Sequence, residues 1–425
     1  MSALLRSDDG PVLLFPWHIG AGHLGRLIEI GKIIARTSGR DVRVCREGIT
    51  VPLIAATFNA DRQRLSGAAS YVTVTGLDAA WSQSGLYNAE RVRGQVERDL
   101  AVIRELRPSL VVTHMQPTAV LAARAAQVPV MSVADGDFLD PDPWSWMPWA
   151  RDRGLRIPPY PPSRPAFNQV ADELGLSSMR DDVDLMWGDR TIVPSAPSVD
   201  PVPSAPDGVH EPIFCGPLIW SDGPPLDVRE PRSRSVYLGL GSGQLWPEGI
   251  DPTMQEVADR LDATVFRSSP NGHEDDTDRL RHVEFGTVSQ LVAATHVTVT
   301  HGGHSTVHAA LAAGRPVLVA PFMSENENNG RLFVETRGAG FCLWHTDVDG
   351  GRLVYRDGSG AVHDQAPLTA DVLAPALRKL LDDQDRRNGA AGVARDLGVA
   401  AEGQADLIAL AVDACVGATG GDRRP

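Results

Sequence analysis

Short apolar runs alternate with amphipathic stretches through the first half of the chain. The apolar runs that predict strands are Val12–Phe15, Val42–Cys45, Leu110–Thr113 and Val128–Val133. Helical periodicity follows the first run from about Leu24 to Arg36, and an alanine-rich helix is predicted over Thr118–Gln127. Because strands that alternate with helices usually pair in parallel, the pattern predicts a doubly wound α/β sheet.

A second alternating set begins after position 234. Its predicted strands are Ser235–Leu240, Thr264–Arg267, Val297–Thr300 and Val317–Ala320, and its predicted closing helices are Leu373–Asp382 and Ala400–Val416. A chain of 425 residues is too long for one ordinary core. We therefore predict two Rossmann-like domains. The carboxyl ends of their strands, where such sheets bind ligands, would face each other across a cleft.

A proline-rich stretch sets the expected domain boundary. Nine prolines lie between Pro197 and Pro231, a composition typical of an interdomain linker. For the C-terminal segment, packing back on the first domain is one option. The predicted parts are a first domain over 1–215, a linker over 216–234, a second domain over 235–395, and a C-terminal helix and tail over 396–425.

Composition narrows the class of protein. The 42% hydrophobic and 22% charged residues are typical of a soluble globular chain, and the net charge of −14 argues against a nucleic-acid partner. No apolar run approaches the roughly 20 residues of a membrane span, and the N-terminus lacks the apolar centre of a signal peptide. The cysteines form no CxxC pair, so zinc is not indicated. We expect a reduced, cytoplasmic monomer or homodimer without an integral membrane segment.

The segment from His301 to Gly330 contains the clearest chemistry. A glycine-flanked turn precedes a predicted helix, a buried strand follows, and a polar loop with acidic residues comes last. Such a turn directs free N–H groups and the positive end of a helix dipole at a phosphate. Carboxylates in the following loop can accept hydrogen bonds from hydroxyls. The combination predicts a site for a nucleotide-sugar.

The same segment resembles the donor signature of the UDP-glycosyltransferase-like branch of the GT-B glycosyltransferases, which includes bacterial enzymes that decorate natural products. The matching pieces are HGGHST from His301, GRP from Gly314, and PFMSEN from Pro321. Glu325 follows His301 by 325 − 301 = 24 positions, the spacing of the family pattern. Further similar pieces are VYLGLGS, FCGPLIW and the first predicted helix, so the resemblance touches both predicted domains.

The resemblance implies a first domain that binds the acceptor and a second that binds a UDP- or dTDP-linked hexose or deoxyhexose. The histidine and the first helical turn would hold the diphosphate, and the acid and amide of the last loop would hold the sugar. The resemblance also implies that a helix dipole and side chains stabilise the leaving group, so we expect a metal-independent transfer without a cofactor. The implied donor-binding residues are Ser242, His301, Gly303, His304, Ser305, Thr306, Glu325 and Asn326.

His23 is the expected general base, because related enzymes place such a histidine at the first strand-to-helix turn. A neutral imidazole can accept a proton from the acceptor, and a single displacement then inverts the sugar carbon. The family usually has an aspartate that orients this histidine, and His114 stands in its place. Either Asp135 or Asp137 supplies the missing carboxylate, or the acceptor needs little deprotonation.

The expected acceptor is a small lipophilic natural product. The stretch Pro141–Phe167 is rich in proline and tryptophan, which predicts a long surface loop. The overlapping tryptophan-rich piece Asp137–Trp149 is expected to line an apolar acceptor pocket. Two alternatives remain open. In the first, the chain glycosylates a lipid or cell-wall precursor. In the second, it is a non-catalytic homologue that binds the sugar nucleotide.

Overall fold

The computed structural model describes residues 10–17, 21–53, 72–157, 159–221, 234–239, 250–269, 276–284, 288–345, 347–364 and 366–417. The strands are β1 (Val12–Pro16), β2 (Val42–Arg46), β3 (Ile49–Pro52), β4 (Leu110–His114), β5 (Val130–Val133), β6 (Arg190–Val193), β7 (Ile213–Phe214), β8 (Ser235–Gly239), β9 (Thr264–Ser269), β10 (Leu280–Glu284), β11 (Val297–Thr300), β12 (Val317–Val319), β13 (Gly340–Cys342), β14 (Asp347–Asp349), β15 (Arg352–Arg356) and β16 (Val362–His363). The helices are α1 (Ala21–Ser38), α2 (Leu77–Gln83), α3 (Ala89–Leu106), α4 (Pro117–Ala125), α5 (Arg164–Glu173), α6 (Ile250–Leu261), α7 (Val288–Ala294), α8 (His304–Ala312), α9 (Ser324–Asn329), α10 (Ala370–Asp382), α11 (Gln384–Ala401) and α12 (Gln404–Gly417).

The first sheet has the strand order β3-β2-β1-β4-β5-β6-β7. All of its neighbouring strands are parallel except β3, which runs antiparallel to β2. The side chains of β1, β4 and β5 are buried throughout, as expected for parallel strands covered on both faces. The apolar runs of the sequence therefore become the centre of a doubly wound sheet.

The second sheet has the order β10-β9-β8-β11-β12-β13 and is parallel throughout. Helices again cover it. The apolar residues between sheet and helices form two clusters, and one of them also includes Ala196 and Val199 of the first domain. The predicted α/β class with two Rossmann-like domains is confirmed. A small antiparallel sheet of β14, β15 and β16 follows the last strand and was not anticipated.

The C-terminal helix α12 lies against the first sheet. Its Ile408, Val412 and Cys415 are buried in the same core as residues of α1 and β1. The preceding helix α11 packs instead on the second domain, against α8, so the predicted boundary at 395–396 falls inside α11. Most of the predicted linker lies outside the described residues.

The stretch Pro141–Phe167 differs from the predicted surface loop. Trp146 and Phe167 are almost fully buried, and the ring of Trp146 lies 5.3 Å from that of Phe138. Trp149 stacks on Arg331 of the second domain with 4.5 Å between the guanidinium carbon and the ring centre. These aromatic side chains hold the segment against both domains, which periodicity cannot reveal.

No helix in the described part of the chain combines the length and the apolar character that crossing a bilayer requires.

The strand ends of the two domains lie close together. The N-terminal turns of α1 and α8 approach so closely that a Cβ on Gly22 would lie 2.7 Å from Oγ of Ser305. At a second point the backbone N–H of Val74 donates to Oγ of Ser324 at 2.7 Å, and that hydroxyl donates to the carbonyl of Val74. The carboxyl ends of both sheets therefore border one interdomain site.

Candidate functional site

The turn before α8 has the geometry expected of a phosphate-binding loop. Gly302 has a φ of +97°, and a Cβ there would lie 2.5 Å from the carbonyl oxygen of Asn326, so only glycine fits. Gly303 is the N-cap residue, and because it has no side chain, no side-chain hydrogen bond caps the helix. The partly exposed Ser305 and Thr306 follow in the first turn. Backbone N–H groups and the helix dipole there favour an anion.

His301 lies at the end of β11, beside this turn. Burial lowers the pKa of its imidazole to about 4, so the ring is neutral at pH 7. Its Nδ1 is buried and has no hydrogen-bond partner among the described residues. A buried polar atom without a partner is costly in a native protein, and a bound ligand would supply the missing partner.

The acidic loop is joined to the phosphate turn. Glu325 of α9 accepts hydrogen bonds from the side-chain amides of Asn326 at 2.5 Å and Asn329 at 2.6 Å. The amide of Asn329 also donates to the carbonyl of Gly302 at 2.9 Å. Burial raises the pKa of Glu325 to about 7. Oδ1 of Asn326 is buried and has no hydrogen-bond partner in the described part of the chain. The structure thus brings the implied phosphate and sugar contacts together.

The histidine pair of the first domain lies across the interdomain site. His23 is half-buried in the first turns of α1, and His114 is fully buried at the end of β4. Their Nδ1 atoms are 2.6 Å apart, and the rings meet edge to face with 4.5 Å between centres. Burial, followed by the nearby His23 and Arg26, lowers the pKa of His114 well below its usual value, so His114 is neutral.

Arg26 joins the two domains from one turn further along α1. Its Nη1 donates to both carboxylate oxygens of Asp135 at 2.7 and 3.0 Å and lies 2.7 Å from Nε2 of His114. Its Nη2 lies 2.5 Å from Nδ1 of His304. A guanidinium has only donors, so both of these histidine nitrogens are acceptors.

The contact with Arg26 determines where the protons of the histidine pair lie. Neutral His114 has one N–H, and because its Nε2 accepts from Arg26, the proton is on Nδ1. That N–H donates to Nδ1 of His23, so the proton of a neutral His23 is on Nε2. This order differs from the one that a general base needs, in which His23 has its proton on Nδ1 and a lone pair on Nε2.

The two carboxylates considered as partners of His23 have other positions. Asp135 forms a buried ion pair with Arg26. Asp137 is half-buried, and its Oδ2 lacks a partner among the described residues. Burial, and then the charge of Glu325, raise the pKa of Asp137 well above its usual value. Neither geometry supplies the orienting carboxylate expected beside His23.

His304 also differs from its expected role at the donor. It is almost fully buried, and its Nε2 lies 3.3 Å from Oδ2 of Asp200 and 3.4 Å from Oδ1 of Asp135. Its ring stacks on His308 at 3.7 Å. Burial lowers its pKa to about 3. His304 therefore belongs to the buried network between the domains.

One group of described residues has ligand atoms close enough for a metal ion. Single donor atoms of Asp135, Asp200 and His304 lie within 4.8 Å of one another. Arg26 already places its guanidinium against Asp135 and His304, so a cation there would compete with a fixed positive charge.

Two residues of the network were not identified from the sequence. Arg26 lies three positions after His23, which places both on one face of α1, and that spacing was the available signal. Asp200 lies in the proline-rich stretch, where nothing in the pattern indicated a buried carboxylate. Ser242, implied as a phosphate contact, lies outside the described residues.

Comparisons with known proteins agree with this architecture. Residues 262–357 match the glycosyltransferase family 28 C-terminal domain. The fold is similar to that of the spinosyn rhamnosyltransferase SpnG, with a TM-score of 0.64, 16% identity, and coverage of 94% of this chain and 99% of that one. The resemblance to GT-B glycosyltransferases is confirmed, and the chain has the GT-B fold.

Curated relatives match part of the chain. A PGL/p-HBAD biosynthesis glycosyltransferase of Mycobacterium tuberculosis (strain ATCC 25177 / H37Ra) is 26% identical over 283 residues, which cover 60% of this chain and 64% of the relative. The elloramycin glycosyltransferase ElmGT of Streptomyces olivaceus is 29% identical over 170 residues, 39% of this chain and 40% of the relative. The chain thus spans less than two thirds of the length of these relatives.

Proposed function

We propose that this chain, with its GT-B fold and family 28 C-terminal domain, is an inverting glycosyltransferase. It moves a hexose or deoxyhexose from a UDP- or dTDP-sugar to an oxygen of a small lipophilic acceptor. The observation that supports this most directly is the interdomain meeting of three parts: the α8 turn, the Glu325 loop and the histidine pair. The contacts that join them run from Asn329 to Gly302 and from Arg26 to His304.

The donor half of the proposal rests on the turn before α8. The diphosphate accepts hydrogen bonds from the first-turn amides, and the buried Nδ1 of His301 offers a further partner. Glu325 receives the sugar hydroxyls together with Oδ1 of Asn326, which lacks a hydrogen-bond partner among the described residues. The structural relative SpnG has been solved as a complex with thymidine diphosphate, which supports a dTDP-linked donor as one of the two nucleotides.

The transfer itself is a single displacement. The acceptor oxygen attacks the anomeric carbon on the face opposite the diphosphate, so the configuration inverts. The positive end of α8 stabilises the charge that develops on the leaving diphosphate. Because this stabilisation needs no ion, we expect turnover to persist in the presence of a chelator.

His23 is the proposed contact of the acceptor's nucleophilic oxygen. It is half-buried at the start of α1, whereas its partner His114 is fully buried. The general-base role implied by the resemblance requires a lone pair on Nε2. The contact of Arg26 with His114 favours a proton there, so His23 can act as a base only if Arg26 leaves His114.

The test is acceptor-dependent release of nucleoside diphosphate. Purified protein is incubated with UDP- and dTDP-sugars and a panel of aromatic acceptors. We expect release only when an acceptor is present. His23→Ala should lose most of this turnover while nucleotide affinity by calorimetry stays near the wild-type value. His363→Ala, in the small antiparallel sheet, is the matched control and should retain turnover. Release that is unaffected by His23→Ala would remove His23 from the site.

A further inference from the structure

A chain of hydrogen bonds runs from Asp135 through Arg26 and His114 to His23. Arg26 fixes the direction of these bonds, because its guanidinium can only donate. Asp135 accepts from Arg26, Arg26 donates to Nε2 of His114, and Nδ1 of His114 contacts Nδ1 of His23 at 2.6 Å. The carboxylate of Asp135 can only accept a hydrogen bond and the guanidinium of Arg26 can only donate one, whereas each histidine can do either. Together they leave one arrangement of protons without two N–H groups facing each other, and His23 then has its proton on Nε2.

We infer that the acceptor's nucleophilic oxygen enters this site as an anion held by the Nε2 proton of His23, which makes acidic phenols and carboxylic acids the preferred acceptors. The inference rests on the proposed glycosyl transfer and names the acceptor class for it. A phenolate or carboxylate accepts a hydrogen bond from an imidazole N–H, and such charge-assisted bonds are stronger than neutral ones.

The alternative arrangement conflicts with the contacts of Arg26. A lone pair on Nε2 of His23 requires Nδ1–H, which then needs a lone pair on Nδ1 of His114. The proton of neutral His114 would move to Nε2, where it would face Nη1 of Arg26 at 2.7 Å. Arg26 has little room to withdraw, because Asp135 and His304 hold its two Nη atoms and its side chain is buried.

The charge around the pair also disfavours proton removal by His23. A base becomes an imidazolium, and relatives with an aspartate at position 114 balance that charge with a carboxylate, as the resemblance implies. Here the neighbour is the neutral His114, with the guanidinium of Arg26 behind it. The carboxylate of Asp135 is already paired with Arg26. A negatively charged acceptor suits this surrounding better than a positively charged histidine.

The reaction then balances without a base. The acceptor anion supplies the electron pair for the new bond to the anomeric carbon. The bond from that carbon to the diphosphate oxygen breaks, and its electron pair leaves with the nucleoside diphosphate. No proton is removed from the acceptor during the transfer, and the Nε2–H of His23 stays on the imidazole.

Two substitutions of His114 distinguish its effect on the tautomer of His23 from its contribution to packing. In His114→Asn the amide oxygen accepts from Arg26 and the NH₂ group donates to Nδ1 of His23, so the proton order is kept. In His114→Asp the carboxylate accepts hydrogen bonds from both Arg26 and His23, so His23 must adopt the tautomer with its proton on Nδ1. Because Asn and Asp have nearly the same size, the pair differs in hydrogen-bond direction and charge.

The experiment measures transfer to 4-nitrophenol, 4-nitrobenzoic acid and 4-nitrobenzyl alcohol at neutral pH. The first two ionise and the alcohol does not. We expect wild type and His114→Asn to favour the ionised acceptors over the alcohol by about 100-fold or more, the smallest contribution usual for a general base. His114→Asp should lower the ratio of transfer rates between the ionised acceptors and the alcohol, because it transfers to the alcohol faster than the wild type does. Comparison of the phenol with the acid tells which acidic oxygen is used.

The outcomes separate the inference from the proposed function. Wild-type protein that glycosylates the alcohol as fast as the ionised acceptors overturns the inference and leaves glycosyl transfer standing. Transfer from no donor to any acceptor overturns both. The ¹⁵N NMR signals of the His23 ring provide a readout that needs no turnover. We expect the His23 ring of the wild type to have its proton on Nε2. A proton on Nδ1 of that ring would contradict the inference even if the variants failed to fold.

Discussion

Arg26 is the residue on which the buried polar network depends. It is 4% exposed, and its partner Asp135 is equally buried. Removing one member of a buried ion pair leaves an uncompensated charge, which costs about 3–5 kcal/mol. We therefore expect Arg26→Met to lower the free energy of unfolding by roughly that amount in guanidinium titrations.

A surface pair provides the control for that measurement. Arg93 and Glu173 form a salt bridge with 34% and 41% of their side chains exposed. Exposed pairs contribute about 0–1 kcal/mol, so Arg93→Met should change stability little. Equal losses in Arg26→Met and Arg93→Met would show that the buried pair is no more important than a surface one.

Glu325 predicts a pH dependence of stability. Burial raises its pKa in the folded chain to about 7, above the value of about 4.3 expected in the unfolded chain. Folding therefore favours the protonated acid, and its stabilising effect is complete below about pH 4 and is lost as pH rises through 7. We expect Glu325→Gln to reduce the loss of stability between pH 5 and 8 by about 2 kcal/mol.

The measurement compares unfolding free energies of wild type, Glu325→Gln and a control at several pH values. The exposed Glu105 of α3 supplies the control, and Glu105→Gln should follow the wild-type curve. A Glu325→Gln curve that also parallels the wild type would mean that this carboxyl group is ionised across the range.

At the residue scale, the sequence predicted the residue types of the candidate site but not their hydrogen-bond partners. The residue types and the spacing from His301 to Glu325 predicted a turn and an acidic loop that act together, and the structure joins the two through Asn329. The partner of His23 could not be predicted, because the choice among His114, Asp135 and Asp137 depends on side-chain directions at the ends of β4 and β5. Arg26 resolves that choice by bonding to Asp135 and His114.

At the element scale, the turn between β11 and α8 depends on Gly302. Its φ of +97° is strained for other residues, by about 1–2 kcal/mol, and a Cβ would collide with the backbone of Asn326. We expect Gly302→Ala to displace the Glu325 loop and to weaken nucleotide binding at least about tenfold, the effect of losing about 1.4 kcal/mol. Calorimetry with UDP and dTDP measures it.

Gly360 is the matched control for this substitution. It also has a positive φ, +86°, yet a Cβ there meets nothing within 4 Å. Gly360→Ala therefore introduces the backbone strain without the collision and should leave nucleotide affinity unchanged. If both variants bind alike, the close approach of the α8 turn to the Glu325 loop has no role in binding.

Elements with strong periodicity were predictable, and those defined by tertiary contacts were not. The apolar runs that became β1, β4, β5, β11 and β12 are buried on both faces, so their composition alone identified them. In the small sheet of β14 to β16 the side chain of Val354 is buried and the others are exposed or half-buried. It touches the first domain through the backbone N–H of Arg156, which donates to Gly351, a contact that no local pattern indicates.

At the scale of the whole molecule, specific hydrogen bonds join the two domains at several points. The hydroxyl of Ser324 bridges the N–H and C=O of Val74, and Ser324 is fully buried. Ser324→Ala leaves both backbone groups unpaired, at a cost of about 1–3 kcal/mol each. We expect the Val74 amide to lose most of its protection in hydrogen exchange.

The exposed Ser178 gives a control with a similar hydrogen bond. Its hydroxyl donates to Asp172 at 3.2 Å within the first domain. Ser178→Ala should leave protection of the Val74 amide unchanged. Unaltered exchange in Ser324→Ala would show that this interdomain contact does not hold the two halves of the site together.

The two doubly wound domains border one site, where a donor on one side and an acceptor on the other would meet for the proposed glycosyl transfer. The most direct measurement is mass spectrometry of the acceptor together with quantitation of the nucleotide after incubation with a UDP- or dTDP-sugar. We predict one hexose or deoxyhexose added to the acceptor for each nucleoside diphosphate released, and loss of both signals in His23→Ala. Nucleotide release without a glycosylated product, or no reaction with any donor and acceptor, would contradict it.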